Sequence, residues 1–231
     1  MGKIKKLFTP VKLDDGDYIP DHRVNKRVDA NLTTLAGYFN ETMGPHFEDI
    51  EKDMLRRTIY CKDLKNIESF VLDYYRYENR MWSFNYNLRV RSWLDVSEDA
   101  VHETGKCVFH CKAKGKTKTK DAHWTAVRTD CSEELAEIYM KRLNHKLIMD
   151  RMNVLDISDL WVRYDPEEMV WSIEYFTIIG SSMWMLIPPV NQLIKPTNED
   201  CAKMVEIMQL CFSAVTSKQV KEQMKKESKE Q

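Results

Sequence analysis

The sequence predicts an α+β protein in which N-terminal helices precede two antiparallel blocks, each made of three strands and a helix. Two observations predict this fold class. The period of the apolar residues is about 3.6 up to residue 80 and becomes about 2 from residue 81. A helical pattern then follows each of two groups of strand patterns. The two blocks can combine their strands into one mixed or antiparallel sheet, with the helices packed on one side.

Composition divides the chain into three regions. Residues 1–29 are charged and interrupted by proline and glycine, which predicts an irregular N-terminal arm. Residues 30–216 are expected to form a single α+β domain, with a helical part at 30–78 and a sheet part at 81–216. Residues 217–231 are rich in lysine and glutamate and have no core-facing stripe, which predicts a charged C-terminal tail.

Three helices are predicted in the helical part. In each stretch the apolar residues recur about every three or four positions, as they do on one face of a helix. The pair Gly44-Pro45 provides an end for the first of them. The three predicted helices lie at residues 31–43, 46–60 and 63–77.

The first strand block begins where the period changes. Apolar and polar residues alternate in MWSFNYNLRVRSW, residues 81–93, which predicts a half-buried antiparallel strand with Arg89 and Arg91 on its polar face. Residues 106–114 and 122–129 alternate in the same way, and we expect them to form a hairpin.

A long helix is predicted between the two strand groups. The stretch SEELAEIYMKRLNHKLIMDRM has a helical apolar period and two glutamates in its first turn, and Asp130 is its expected cap. The strands of the second block are predicted at 159–164, 169–179 and 183–188, with Gly180-Ser181-Ser182 as the turn between the last two.

A final helix is predicted to begin at Thr197 or Asn198. Its residues form one apolar stripe, which is expected to face the core. The stripe consists of Cys201, Met204, Val205, Met208, Cys211, Phe212 and Val215.

Composition also narrows the classes of function. The 35 lysines and arginines nearly cancel the 36 aspartates and glutamates, so no net field attracts nucleic acid or an anionic membrane to the whole protein. Only 7 of the 231 residues are glycine, which argues against folds that bring the backbone close to nucleotide phosphates. Six cysteines without an apolar leader predict reduced thiols in a cytoplasmic protein.

Most of the suggestive chemistry lies in KCVFHCKAKGKTKTKDAHW, residues 106–124. As a strand, this stretch places Cys107 and Cys111 on one face about 13 Å apart, and His110 on the other. One zinc ion with bonds of about 2.3 Å does not bridge that separation. Both cysteines are therefore expected to be small buried hydrophobes, and no bound metal is expected.

Other catalytic and cofactor motifs are weak. Gly115-Lys116-Thr117 lacks the earlier glycine and the following apolar helix that a phosphate-binding loop requires. The six histidines lie outside any metal or nucleophile motif. We therefore predict no cofactor and no catalytic residue.

The leading hypothesis is a nucleic-acid contact through the 112–124 hairpin. Lysine occupies alternate positions there, so an extended backbone turns these cations to one side, where they can follow a phosphate backbone beside a stacking aromatic residue. The strand at 81–93 is expected to pair with the hairpin and to add two arginines. The predicted contact residues are Lys112, Lys114, Lys116, Lys118, Lys120, His123, Trp124, Arg89 and Arg91. A solvated loop whose lysines discourage edge-to-edge aggregation is the alternative.

The function predicted from these patterns is that of a non-catalytic intracellular protein that binds a macromolecule, with RNA or DNA as the expected partner. One alternative is a matrix-like scaffold that meets a protein partner, a second copy of itself or a membrane surface through the N-terminal arm and the aromatic stretch SFVLDYYRYENRMW, read as a helix. Membrane association is the least favoured of these. A second alternative is a thiol- or metal-dependent enzyme, because the chain has six cysteines and six histidines.

Overall fold

The structure, a computed structural model, describes residues 23–80, 83–97, 105–112, 122–185 and 190–230. Within them, one antiparallel sheet carries helices on one of its faces, which confirms the predicted α+β class and the one-sided arrangement. The strands are β1 (Phe47–Asp53), β2 (Arg56–Cys61), β3 (Ser69–Arg80), β4 (Ser83–Asp95), β5 (Cys107–Lys112), β6 (His123–Thr129), β7 (Ile157–Asp165), β8 (Val170–Met185) and β9 (Val190–Leu193). The helices are α1 (Arg23–Met43), α2 (Glu133–Leu143), α3 (Lys146–Val154), α4 (Asn198–Val215) and α5 (Lys218–Glu230), and a 3-10 turn spans Gly44–His46.

The strands follow the spatial order β1-β2-β3-β4-β8-β7-β5-β6. β4 and β8 lie side by side at the centre of the sheet, and β1 and β6 form its two edges. β8 is 16 residues long, so that it pairs with β7 through its first part and with β9 through its last part. The first and second strand groups therefore meet along β4 and β8, and not along β4 and β5.

The core lies between the sheet and the helices. β8 turns Trp171, Ile173 and Tyr175 towards the helices, and all three are buried. Helix α4 covers these side chains, and the Tyr175 hydroxyl donates a hydrogen bond to the Met204 carbonyl at 2.9 Å. Every residue of the predicted α4 stripe is buried. Thr197, one of the two predicted starting residues, caps this helix through a capping box with Asp200.

The helix predicted at residues 46–60 is wrong, because this stretch forms β1 and β2. β2 turns Arg57, Ile59 and Cys61 inward, and all three are buried. A charged residue at a core-facing position interrupts the apolar alternation that would have indicated a strand. β1 is an exposed edge strand and therefore has little alternation of its own.

The helix predicted at residues 63–77 is also wrong, because most of these residues belong to strand β3. Phe70 and Leu72 point to the helices and Val71 points away, yet all three are buried. Consecutive apolar residues on both faces of a strand resemble the stripe of a helix. The proposed scaffold surface of aromatic helices is therefore absent from the described residues, because this stretch is a strand in the sheet.

The buried Arg57 side chain joins β2 to α1. Its guanidinium is 3.0 Å from the Asp29 carboxylate and donates to the Thr33 hydroxyl at 2.6 Å. Asp29 also accepts a hydrogen bond from the Leu55 backbone N–H at 2.9 Å. Leu55 has a φ of 61° in the β1–β2 turn. Burial and this hydrogen bond stabilise a turn conformation that usually favours glycine.

The predicted turn at residues 180–182 is also corrected, because it lies inside β8. The register between β4 and β8 shifts here, from the pair Leu88–Thr177 to the pair Tyr86–Ser182. The Ser181 hydroxyl accepts a hydrogen bond from the Leu88 N–H at 2.9 Å, so a side chain replaces the lost ladder bond. Two predicted strands are therefore one irregular strand.

The long helix predicted before the second block is two helices, α2 and α3. The break occurs at His145, whose Nδ1 accepts a hydrogen bond from the Leu147 N–H at 3.3 Å and caps α3. Ser132, and not Asp130, caps α2 by accepting from the Leu135 N–H at 3.1 Å. The apolar period continues across the break, which is why the sequence indicated a single helix.

The two ends of the chain are more helical than predicted. Helix α1 spans Arg23–Met43, so residues 23–29 of the predicted irregular arm are helical, and residues 1–22 lie outside the described residues. The predicted tail contains helix α5, which buries Val220. None of the helices in the described ranges is long and apolar enough to cross a membrane.

Gly180→Ala is expected to destabilise the fold. Gly180 has a φ of +84°, and an added Cβ would lie 2.8 Å from a Leu88 methyl group and 3.2 Å from a Leu35 methyl group. We expect the free energy of unfolding, measured by chemical denaturation, to fall by about 2–4 kcal/mol. Gly37→Ala is the matched control, because an added Cβ there meets nothing within 4 Å. This control should gain about 0.5–1 kcal/mol, and equal stabilities for the two variants would contradict the geometry at Gly180.

Candidate functional site

The face of the sheet that points away from the helices, called here the outer face, is the candidate functional site. In the described part of the chain no helix covers it. Antiparallel register aligns Arg91, Glu174, Trp161 and His110 in one row across β4, β8, β7 and β5. With about 4.8 Å between strands, this row spans about 14 Å. The outer face thus presents charged and aromatic side chains at fixed intervals.

Asp73 organises the β3–β4 half of the outer face. Its side chain is only 6% exposed. The carboxylate accepts hydrogen bonds from Arg89 Nε at 2.7 Å and Arg89 Nη2 at 3.1 Å, and Arg91 donates a further one. Glu174 lies 4.0 Å from the other Arg89 nitrogen. The two guanidinium groups are therefore held in place, and their charge is largely compensated.

Trp161 organises the β7–β5 half. The His110 ring stacks on it with 3.7 Å between ring centroids and an interplanar angle of 7°. His110 Nε2 lies 3.0 Å from an Asp159 carboxylate oxygen, which fixes the imidazole against the indole. The Arg163 guanidinium lies 4.6 Å from the centre of the Trp161 ring and 3.4 Å from Glu174. An aromatic pair and a cation are thus assembled on a face that none of the described helices covers.

Trp93 extends the aromatic surface towards the end of β4. It is 40% exposed, which is high for a tryptophan in a folded domain. The Arg91 guanidinium lies 5.7 Å from its ring centre. Aromatic rings with an adjacent guanidinium therefore occur on both halves of the outer face.

The structure brings together part of the predicted nucleic-acid contact and separates the rest. Lys112 and His123 are register partners at the ends of β5 and β6, and both are exposed. Trp124 is buried on the helix side opposite Cys111, so the expectation that it stacks on a base is wrong. The remaining lysines of the predicted contact lie outside the described residues; they are Lys114, Lys116, Lys118 and Lys120.

Arg89 and Arg91 do not join the hairpin as predicted. The predicted pairing of their strand with β5 is wrong, because β8 and β7 lie between β4 and β5. Both arginines lie on the outer face, but each is paired with Asp73. They share a surface with His110 without being part of one lysine-rich patch.

The sequence prediction missed most of the aromatic and acidic residues of the outer face, among them Trp161 and Asp73, and it also missed Arg163. Trp161 and Arg163 alternate with buried residues in β7, so the pattern DLWVRY does contain the signal that they point away from the core. Asp73 gave no such signal, because the stretch around it resembled a helix. Its role depends on the β3–β4 register, which places it directly opposite Arg89.

The cysteines do not resemble catalytic nucleophiles. Burial raises the pKa of Cys61 to about 11 and the pKa values of Cys111 and Cys201 to about 12. A hydrogen bond with Cys131, together with burial, raises the pKa of Cys107. These thiols are therefore protonated near pH 7, whereas the thiolate is the reactive form. Among the described residues no three His, Cys, Asp or Glu side chains cluster as metal ligands.

These features define an α+β protein with a one-sided antiparallel sheet and a charged, aromatic outer face. The family model described as "Protein of unknown function (DUF3156)" matches residues 47–215 of the chain, and the protein belongs to that family. The match spans the sheet from β1 onwards together with α2, α3 and α4. No curated protein and no solved structure matches the chain.

Asp73→Ala is expected to destabilise the sheet, because it leaves two guanidinium groups without their shared acceptor. Since Arg89 and Arg91 are about one-fifth exposed, we expect a loss of about 2–4 kcal/mol in the free energy of unfolding. Asp53→Ala on the exposed edge strand is the control and should change stability by less than about 0.5 kcal/mol. A loss as small as that of the control would show that the ion pairs do not hold β3 against β4.

Thiol labelling is expected to distinguish Cys131 from the other five cysteines. Cys131 is half-buried, whereas the remaining thiols are buried. In native protein at pH 7, Ellman's reagent should label Cys131 first, and the others should react only after denaturation. Cys131→Ser should abolish the native-state reaction. Rapid labelling of that variant would reveal an activated thiol and revive the thiol-enzyme alternative.

Proposed function

We propose that the protein binds single-stranded nucleic acid across the outer face of its sheet. The observation that carries this proposal is the stacked His110–Trp161 pair, with Arg163 beside it, on a face that no described helix covers. Lys112, the first of the alternating lysines, lies one strand away, in β5 next to β7. The surface and the lysine-rich segment therefore adjoin.

The aromatic groups of the outer face provide stacking contacts for the bases. Unstacked bases place their faces on aromatic side chains and on guanidinium planes, and each such contact contributes about 1–3 kcal/mol. Trp161 and Trp93 lie on β7 and β4, with β8 between them. Single-stranded RNA bound to other open sheets stacks two or three bases over a similar width. Two bases are therefore the expected minimum that this face holds.

Positively charged side chains provide the contacts to the phosphates. On the outer face, Arg89, Arg91 and Arg163 are opposed by the carboxylates of Asp73, Glu174 and Asp159, so these six charges cancel. The lysine-rich segment that follows Lys112 is expected to supply the uncompensated cations that contact phosphates. Phosphate contacts release counterions, so the affinity should fall linearly with the logarithm of salt concentration.

A reducing intracellular compartment, with the cytoplasm as the first expectation, fits this proposal. All six cysteines are free thiols, and none is needed as a cross-link for a core of this size. Nucleic-acid binding without catalysis also agrees with the raised pKa values of the buried thiols. No metal or cofactor is required by a stacking mechanism.

Trp161→Ala is expected to weaken binding of a fluorescein-labelled 12-nucleotide RNA by about 5- to 150-fold, because one base loses its stacking partner. Fluorescence anisotropy at low salt measures this change.

Arg163→Ala should also weaken binding, and replacement of Lys114, Lys116, Lys118 and Lys120 by alanine should reduce the dependence of the affinity on salt concentration. Duplex DNA of the same length should bind more weakly than the single strand, since its bases are already stacked.

Arg151→Ala provides the matched control. Arg151 forms an ion pair with Glu206 at 2.6 Å on the helix side of the protein, so the variant removes a comparable pair away from the outer face. Its affinity for RNA should equal that of the wild type. Absence of binding at low salt, or unchanged binding by folded Trp161→Ala protein, would overturn the proposal. Light scattering that shows a dimer dissociated by Trp161→Ala, without RNA binding, would assign the outer face to self-association instead.

A further inference from the structure

A cavity of about 700 Å³ lies on the molecule away from the outer face. It forms where the β2–β3 loop and the end of β4 meet the ends of α2 and α4 and the start of α5. Its volume is in the range of cavities that hold small molecules, about 300–1,000 Å³. We call it the basic cavity, for the side chains that line it.

Four cations and one carboxylate line the basic cavity. The cations are Lys65 in the β2–β3 loop, Arg142 near the end of α2, and Lys218 and Lys221 in the first turn of α5, and the acid is Asp95. The Asp95 carboxylate accepts a hydrogen bond from the Ser97 N–H at 2.8 Å. Hydrogen bonds from Ser97 lower the pKa of Asp95, so it stays ionised within its own turn. Lys218 also pairs with Glu222 at 3.6 Å. The lining of the cavity nevertheless contains more cations than carboxylates.

Hydroxyl groups of the α4–α5 junction also line the basic cavity. The Ser213 hydroxyl oxygen accepts from Asn66 Nδ2 at 3.3 Å, and the Ser217 hydroxyl oxygen accepts from the Val220 N–H at 3.3 Å. Each hydroxyl has its own O–H left to donate. Cations and hydroxyl donors converging on one space match the acceptor oxygens of a phosphate group.

A second cavity of about 300 Å³ adjoins the first. Arg142 and Ser213 line both, so the two cavities share a wall. The apolar part of its lining consists of Leu147, Ile148, Leu210 and Ala214. Leu147 is 43% exposed, which leaves apolar surface open to a ligand.

We infer that the two cavities together bind a small phosphorylated molecule, with its phosphate in the basic cavity and an apolar or aromatic group in the second one. The shared wall at Arg142 and Ser213 places the phosphate and the apolar group of one molecule within reach of both spaces. A nucleoside monophosphate has this combination of groups, and so does a phosphorylated metabolite with an apolar group. The site is separate from the outer face and does not depend on the function proposed for that face.

Isothermal titration calorimetry with inorganic phosphate, pyrophosphate and adenosine 5′-monophosphate tests the inference. We expect all three to bind the wild-type protein, and the nucleotide to bind more tightly than phosphate because it also occupies the apolar cavity. Arg142→Glu and Lys65→Glu should each weaken binding by about 10-fold or more, since each removes a charge-assisted contact. Leu147→Asn should weaken binding of the nucleotide and leave that of phosphate unchanged.

Two controls separate this site from the outer face and from general charge effects. Lys195→Glu makes the same charge change at an exposed lysine outside the cavity lining and should leave binding unaltered. Trp161→Ala should also leave nucleotide binding unaltered, because Trp161 lies on the outer face and not in the cavities. A loss of nucleotide affinity in this variant would show that the nucleotide stacks on the outer face. No binding at millimolar concentration, or equal losses in Arg142→Glu and Lys195→Glu, would overturn the inference. RNA binding through Trp161 would be unaffected by that result.

Discussion

A sheet that is covered by helices on one face only imposes opposite requirements on alternate residues of every strand. Inward residues must fill a dry core, and outward residues must remain compatible with water while lying about 5 Å from their cross-strand neighbours. Like charges at that distance destabilise a sheet. The outer face meets this constraint by placing Asp73 among two arginines and Glu174 beside Arg163. The ion pairs on this face follow from the one-sided fold.

The same alternation decides which elements the sequence could predict. β4, β5, β7 and the first part of β8 alternate mainly apolar inward residues with outward residues that are mostly polar or aromatic, and their patterns indicated strands correctly. β2 breaks the pattern with the inward Arg57, and β3 breaks it with the outward Val71. The inward Arg57 is compensated by a distant contact, its ion pair with Asp29 of α1. A contact between distant segments leaves no trace in the local period, so these two strands resembled helices.

The candidate site was harder to predict than the fold, because it depends on register and on strand order. Two of the residues that form it, His110 and Trp161, are separated by 51 positions in the chain and become neighbours only through the β5–β7 pairing. The expectation that consecutive strands pair holds for β3 with β4 and for β5 with β6. It fails between β4 and β5, where β8 and β7 intervene. Composition alone drew attention to the lysines and to Trp124, whose indole proved to be part of the core.

The ion pairs of the outer face also bear on which nucleic acid it suits. A phosphate that approaches Arg89 or Arg91 must compete with the Asp73 carboxylate, which is already hydrogen-bonded to both. Replacing the carboxylate partner of an arginine by a phosphate contributes little free energy of binding. Among the described residues, the rings of Trp161 and Trp93 meet no anionic competitor, because the partners of Trp161 are His110 and Arg163 and the partner of Trp93 is Arg91. The fixed positions of these aromatic groups reduce the entropy lost on binding. A duplex offers mainly phosphates to a surface of this kind, whereas a single strand also offers the faces of its bases. Stacking therefore contributes more than charge on this face, which is the physical reason to expect selectivity for single strands.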